Sequence, residues 1–301
     1  MRESELHRHI YDRSADLTAE FARVEVGPGD DAAVVLSESG DRILITTDQV
    51  VEGRHFEPGT EIDLIARKAI ARSVSDIAAM GGRPAWGLAT GLLPAGYPHA
   101  DALFDAMARW ARHWDCPLVG GDIAAHAEAD QPLSLTVTIA GTPATGAGPL
   151  LRSGARPGDE LYLTGQIGAS FESGWHLRFE PRLEAGQAAA RSVRAHAAID
   201  LSDGLGRDAA RVGRASGVVL ELRAADLPIS HRSPGWREAC AEGEDYELLL
   251  ALEPGTRLAT EPELIGPVGL VRKPRENEPP GAVIIDPRGT AHDATDLGWD
   301  H

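Results

Sequence analysis

The 301-residue chain is short of positive charge: 29 lysines and arginines face 46 aspartates and glutamates, for a formal charge of −17. Such a surface argues against non-specific binding to nucleic acid or to an anionic membrane, since both need a basic field. Lysine is almost missing, with Lys68 and Lys273 alone. Neither follows a glycine-rich loop and no GxxxxGK[ST] occurs, which excludes a P-loop enzyme. The protein-kinase signature set is absent too. Two cysteines, Cys116 and Cys240, stand far apart with no zinc spacing or disulfide framework, as in a reducing cytoplasm. The opening stretch MRESELHRHIYDRSADL has no apolar centre of a signal peptide. No apolar run reaches the length of a membrane span. The expectation is therefore a cytoplasmic protein that meets anionic ligands only through metal ions or local arginines.

Aspartate, by contrast, recurs in short motifs flanked by small residues. Asp30 and Asp31 stand in GPGDDAAV, Asp48 in ITTDQV, Asp76 in SVSDIAAMGG, Asp122 in VGGDIA, and Asp200 and Asp203 in AIDLSDGLG. A few short carboxylates plus water are the usual way of holding Mg²⁺ together with substrate phosphates. The recurrence points to several Mg²⁺ ions and a polyphosphate.

Periodicity organises the first half. Helices are expected over 3–13, 61–80 and 101–114, the second ending at Gly81-Gly82. Strands are expected over 33–36, 42–46, 85–93, 117–119 and 133–141, the first two as a hairpin. This order suits an α/β chain built in α+β layers, a mixed sheet with helices on one face. The loop TPATGAGP at 142–149 is the best boundary, dividing the chain into 1–142 and 143–301. The second half repeats the α/β character, with strands at 160–164, 218–222, 246–252 and 282–285 and helices at 183–195 and 204–215.

Taken singly, each motif also has a plain structural reading. Asp30 and Asp31 cannot face the same way on an extended chain, so one serves a metal and the other the turn or a second ion. Thr46, Thr47 and Asp48 at a strand end offer two hydroxyls and a carboxylate, or a cap. His55 in VEGRHF is a lone loop histidine. Asp76 either pairs with Arg72 at i−4 or is a buried carboxylate that needs a cation. Asp122 after two glycines resembles a phosphate approach, and Asp200 to Gly204 an N-cap or an anion-binding helix start. Arg152 either clamps a phosphate or pairs with Asp159.

Read in order, GPGDDAAV, TTDQVVEGRHF, ARKAIARSVSDIAAMGGRPAW, LVGGDIA, RSGARPGDELYLTGQIG, HLRFEPR, IDLSDGL, GEDYEL and GWDH resemble the thiamine-monophosphate kinase family, of the superfamily that includes aminoimidazole-ribonucleotide synthetase. The resemblance runs from residue 27 to 301. It implies a two-domain synthetase/kinase fold: an N-terminal ATP- and Mg-binding domain that makes a homodimer through its sheet, and a C-terminal α/β domain. It also implies direct phosphoryl transfer from ATP to thiamine monophosphate. The metal set it implies is Asp30, Thr46, Thr47, Asp48, Asp76, Asp122, Asp200 and Asp203, with Asp31 left to the turn. Gly121, Asp122, Arg152 and Ser202 are the implied nucleotide contacts, and His55, Glu244 and Trp299 the implied substrate contacts. No protein acid or base is implied, because the attacking group is already a phosphate oxygen.

The chain departs from the family pattern in GGDIAAH, where the family has GGDTT and a basic residue. The stretch before HLRFEPR is shorter, and Ala169 stands where Asp is common. The alternative from another class is a non-catalytic Mg-nucleotide-binding module, or a relative acting on a different small phosphorylated substrate. Relatives that need a reactive N-terminal or C-terminal cysteine do not match.

Overall fold

A computed structural model describes residues 3–14, 16–260 and 263–299, which leaves Asp300 and His301 of the terminal GWDH motif outside the described residues. In chain order the elements are α1 (Glu3–Arg13), α2 (Leu17–Glu20), β1 (Val24–Val26), β2 (Ala33–Leu36), β3 (Arg42–Val51), α3 (Ile62–Ala79), β4 (Gly82–Leu93), α4 (Ala100–His113), β5 (Leu118–Ala125) and β6 (Ser134–Pro143). There follow β7 (Glu160–Leu163), α5 (Ser170–Ser173), α6 (Trp175–Arg178), α7 (Leu183–Ala190), β8 (Ala195–Asp200), α8 (Leu205–Ser216), β9 (Val219–Arg223), α9 (Trp236–Ala241), β10 (Leu248–Leu252), β11 (Ile265–Arg272), β12 (Gly281–Ile285) and β13 (Ala291–Asp293).

The strands form two sheets that share no member, six in the order β1-β2-β3-β6-β4-β5 and seven in the order β13-β12-β9-β11-β7-β10-β8. This is the layered mixed α/β architecture the periodicity predicts. In the six-stranded sheet, β4 and β5 run parallel and the other neighbours antiparallel. Side chains alternate along a strand, so Thr46, Asp48 and Val50 of β3 face α3, whereas Thr47 and Gln49 face away. Among the described residues no helix covers the away face. That face exposes Trp86, Leu88 and Leu92 of β4 and a ladder in which Thr138 bonds Thr47 and Gln49 bonds Thr136.

Helix α3 is the hub of the molecule. Thirteen of its residues are buried, Lys68 and Ser75 among them, as expected of a helix covered on every side. It packs on β3, β6 and α4 of the first layer and on α6, α7 and β8 of the second. Close approach to α7 needs glycine: a Cβ at Gly186 would lie 1.9 Å from the Ala78 carbonyl oxygen. The seven-stranded sheet is apolar on both faces. Leu249 and Ala251 point into the core with α8, and Leu248, Leu250 and Leu252 into a cluster with Ala79, Ala185 and Ala189. All five residues of β10 are consequently buried.

Three sequence expectations are corrected. Thr46 to Asp48 do not end a strand, because β3 runs on to Val51. Gly120, Gly121 and Asp122 form no turn but lie inside β5, where the glycine serves packing: a Cβ on Gly121 would come within 1.8 Å of the Ala89 carbonyl oxygen. The helix expected over 183–195 stops at Ala190, and β8 follows; its AHAAID sequence is small and apolar on both sides and lacks the alternation that betrays a half-exposed strand.

Candidate active site

The loop before β2, the middle of β3, the second half of α3 and the end of β8 converge between the two layers. Asp31, Asp76 and Asp200 each bring a carboxylate oxygen to within 4.8 Å of the others'. Asp31 and Asp200 are buried. Thr46 donates its hydroxyl to Asp76, and Ser75 Oγ donates to Asp200 at 2.7 Å, bridging the layers. Asp31 Oδ1 receives Arg152 Nη2 at 2.6 Å and Nε at 3.1 Å, while its Oδ2 is buried with no partner.

Acids outnumber cations here. Burial, reinforced by neighbouring acids, pushes Asp76 and Asp200 well above the usual carboxylate range. Burial and the Asp31 charge raise Asp30 to about 7, with Arg152 opposing. A divalent cation reverses that strain by favouring the charged form of every carboxylate around it. The orphaned Asp31 oxygen and three converging carboxylates are hard oxygen donors of the kind Mg²⁺ takes, so the residues present fit such an ion.

Asp31, left to the turn by the sequence reading, is thus at the centre, and Asp30 holds the loop. Its carboxylate accepts the Arg152 backbone N–H at 3.1 Å and its own neighbour's N–H at 3.0 Å. Arg152 does not pair with Asp159, which instead engages His196 at 2.9 Å. Asp48 borders the cluster, with Ser73 Oγ at 3.3 Å and Arg72 Nη2 at 3.5 Å. Asp203 lies to one side, held by Arg211, which also grips Asp208 at 2.6 Å. Ser202 is half-buried, and its carbonyl accepts the Glu244 N–H at 2.8 Å.

Thr47, Gly121 and Asp122 stay apart, the last two on the edge strand β5. Thr47 faces the uncovered side of its sheet. Asp122, exposed on the edge strand β5, registers with Thr90, and Thr90 with Thr136, placing it on that same uncovered side. Three strand spacings of ~4.8 Å separate β5 from β3, about 14 Å in all. Within one chain, therefore, Asp122 and Asp48 do not meet.

The implied substrate residues do gather, about two helical turns back along α3. Lys68, fully buried, bonds Glu244 and donates to the His55 carbonyl at 2.6 Å. His55 Nδ1 accepts the Val51 N–H at 3.0 Å, which puts its proton on Nε2. Burial draws Lys68 down to about 8 against the pull of Glu244. For Glu244, burial opposes the charge, but Lys68 and Arg72 prevail and hold it below its usual value. The GEDYE loop achieves this with left-handed backbone at Glu244 (φ 60°) and Tyr246 (φ 52°), the kind of strain that collects at functional sites. Over the pair lies an aromatic wall. Phe171 stacks on His176 at 4.4 Å and on Trp299 at 6.0 Å, with Lys68 5.7 Å from the Phe171 ring centre. The Trp299 N–H is tied to the Asp203 carbonyl at 2.8 Å.

Sequence reasoning missed Lys68, Arg72 and Asp208 as members of the site. For Lys68 and Arg72 a signal existed: two cations at i and i+4, the second four residues before Asp76, on a helix rich in apolar residues.

Residues 29–142 match the family model described as AIR synthase related protein, N-terminal domain. A thiamine-monophosphate kinase of Rhodopirellula baltica is 34% identical over 93% of this chain and 95% of its own. That of Salmonella typhimurium is 38% identical over 75% of each. Among solved structures, AaThiL complexed with AMPPCP and TMP superposes with a TM-score of 0.79 at 26% identity, covering 100% of this chain and 99% of that one.

Proposed function

The chain belongs to the thiamine-monophosphate kinase family, and from that premise we propose that it transfers the γ-phosphoryl group of ATP to thiamine monophosphate, giving ADP and thiamine diphosphate. The observation that carries this reading is the meeting of Asp31, Asp76 and Asp200 about two helical turns from the Lys68–Glu244 pair. It sets a phosphate-binding end beside an end suited to an organic cation. An oxygen of the acceptor phosphate forms the new bond to the γ-phosphorus. The bond to the β–γ bridging oxygen breaks, and its electron pair leaves with ADP. The attacking oxygen is anionic, so no protein base is required.

Asp31, Asp76 and Asp200 would hold Mg²⁺, with Asp30, Thr46, Asp48 and Asp203 around them. When bound, the ions neutralise phosphate charge in an acidic site. Arg152, Ser202 and the Gly121–Asp122 segment are assigned to the nucleotide. Glu244, His55 and the wall of Phe171, His176 and Trp299 are assigned to thiamine, whose positively charged ring and flat aminopyrimidine suit a carboxylate and aromatic faces. The Lys68–Glu244 pair keeps that carboxylate ionised although it is buried.

The reading includes a homodimer through the uncovered face of the six-stranded sheet. Trp86, Leu88 and Leu92 support it, since an apolar sheet face with no helix on it calls for a partner. A second copy there would make Thr47 and Asp122 interface residues, and any metal role for Asp122 would then require that copy. Residues 1–142 are taken as the nucleotide, metal and dimerisation domain and 143–301 as the second domain, a division supported by two sheets with no common strand. No helix among the described residues is long and apolar enough to cross a membrane. The reaction is assigned to the cytoplasm, in keeping with the free thiols of Cys116 and Cys240.

The test is turnover by the purified protein with ATP, Mg²⁺ and thiamine monophosphate. Stoichiometric ADP and thiamine diphosphate are expected. Nucleotide binding without product would assign the chain to the non-catalytic alternative.

A further inference from the structure

We propose that Arg72 is a catalytic residue of this reaction, its guanidinium holding the equatorial oxygens of the phosphoryl group in transit; the proposal rests on the function proposed above. Arg72 sits on α3 at the junction of the two half-sites, one turn after Lys68 and one turn before Asp76. On one side Glu244 Oε1 lies 4.0 Å from its Nη1, and on the other Asp48 Oδ1 lies 3.5 Å from its Nη2. A phosphoryl group passing from the acid cluster toward the Glu244 pocket must cross this position.

Its hydrogen bonding singles it out. A guanidinium carries five N–H donors in a planar fork. Arg72 spends one well, on the Gln49 carbonyl at 3.0 Å, and one weakly, on Asp48 at 3.5 Å. Its Nε is buried with no partner. Two other half-buried arginines have their Nε engaged. Arg152 engages Asp31 through Nε and Nη2 and the Gly29 carbonyl through Nη1. Arg182 grips Glu247 in parallel bonds of 2.7 and 2.6 Å. Each of those two has its Nε bonded to a carboxylate inside the fold. Arg72 keeps a desolvated donor in reserve at the point where the γ-phosphate and the acceptor phosphate must meet. Buried unpaired donors are unfavourable and rare, whereas a preorganised guanidinium facing the charge of a phosphoryl transition state is worth most where water is excluded. In the transfer, the acceptor oxygen bonds to phosphorus and the bridging oxygen departs with its electron pair. Arg72 gains hydrogen bonds to the oxygens that share the charge, and no proton changes hands.

Arg72→Lys separates this role from that of a mere counter-ion, because lysine keeps the charge and loses the fork. The unaltered protein, Arg72→Lys and Arg72→Gln are compared for turnover of ATP with thiamine monophosphate, for binding of a non-hydrolysable ATP analogue by calorimetry, and for thermal unfolding. We expect Arg72→Lys to keep its unfolding midpoint and to bind the analogue within about threefold, while kcat falls about 10²-fold or more. Arg72→Gln should lose at least as much. If the lysine variant does not fold, the glutamine variant carries the same comparison, and unfolding of both overturns the proposal. Turnover by Arg72→Lys within about threefold of the unaltered protein, or a loss confined to KM, also overturns it. Absence of product from the unaltered protein would instead sink the kinase reading itself, and this assignment with it.

Discussion

Near the middle of α3, Lys68 and Arg72 meet Glu244, so that cations and acid face each other inside the chain. Further along the same helix, Ser75 and Asp76 meet Asp31 and Asp200, and Arg152 is the cation that bonds into the cluster. Both groups are buried between the same two layers, so solvent does not distinguish them. The matched group is closed at Lys68, which bonds Glu244 and a carbonyl, while Arg72 keeps an unpartnered Nε. The acid group is open, with an unpartnered carboxylate oxygen and carboxylates driven toward protonation. A fold tolerates the second arrangement when a cation from outside completes it.

Four experiments would break or sharpen this contrast. The largest effect is expected from Asp76→Asn or Asp200→Asn, which should lower turnover by about 10³-fold, at the upper end for loss of one charge-stabilising group. In the metal-free protein the same variants should unfold at the same temperature or higher, because a repelling charge has gone. A lowered midpoint would show that the acids stabilise the fold unaided. Lys68→Met should behave the opposite way. Leaving Glu244 buried without its cation should remove roughly 3–5 kcal/mol of stability, measured by denaturant unfolding; a loss under about 1 kcal/mol would show that the pair is not closed. Third, Trp86→Glu on the uncovered sheet face should shift sedimentation from dimer to monomer, and a dimer that survives it must use another surface.

The smallest effect concerns pH. A carboxylic acid whose folded pKa is raised contributes stability that is complete below its unfolded pKa and lost as pH rises through the folded one. For Asp30, usually 3.8 and here about 7, and for Asp76 and Asp200 in the same direction, the metal-free protein should lose several degrees of midpoint between about pH 4 and pH 8. Glu278 and Asp286, lowered to about 2 by bonds to Arg272 and His292, act only below that window. Adding Mg²⁺ should flatten the slope. An equal slope with and without Mg²⁺ would separate the acid cluster from metal binding.

Much of the framework was legible beforehand. The long helix carrying Asp76, the hairpin of β2 and β3 and the glycine stop at Gly81-Gly82 all announce themselves by periodicity and turn chemistry. The missed elements share a cause. Strands β8 and β11 are buried or irregular and lack alternation, so a local window cannot separate them from helix or loop. The candidate site was legible as a set of motifs and not as a geometry. Thr46, Asp48, Asp76 and Asp200 do approach the cluster or join it, but neighbours in sequence parted company. Strand alternation sends Thr47 to the other face of the sheet, and the turn sends Asp31 inward while Asp30 holds the loop.

The sequence by itself determined which residue types are present and in what order: an acidic chain, aspartates in ordered motifs, the collinear pattern of a kinase family, and no lysine placed for a P-loop. Those follow from composition and local pattern, which need no folding. Tertiary structure alone decided which carboxylates converge, that Arg152 serves Asp31, that Asp122 and Asp48 lie three strands apart on opposite faces of one sheet, and that Arg72 keeps an unspent donor. Each of these depends on register, facing and burial between two layers, quantities set by contacts between residues distant in sequence, up to 169 positions for Asp31 and Asp200.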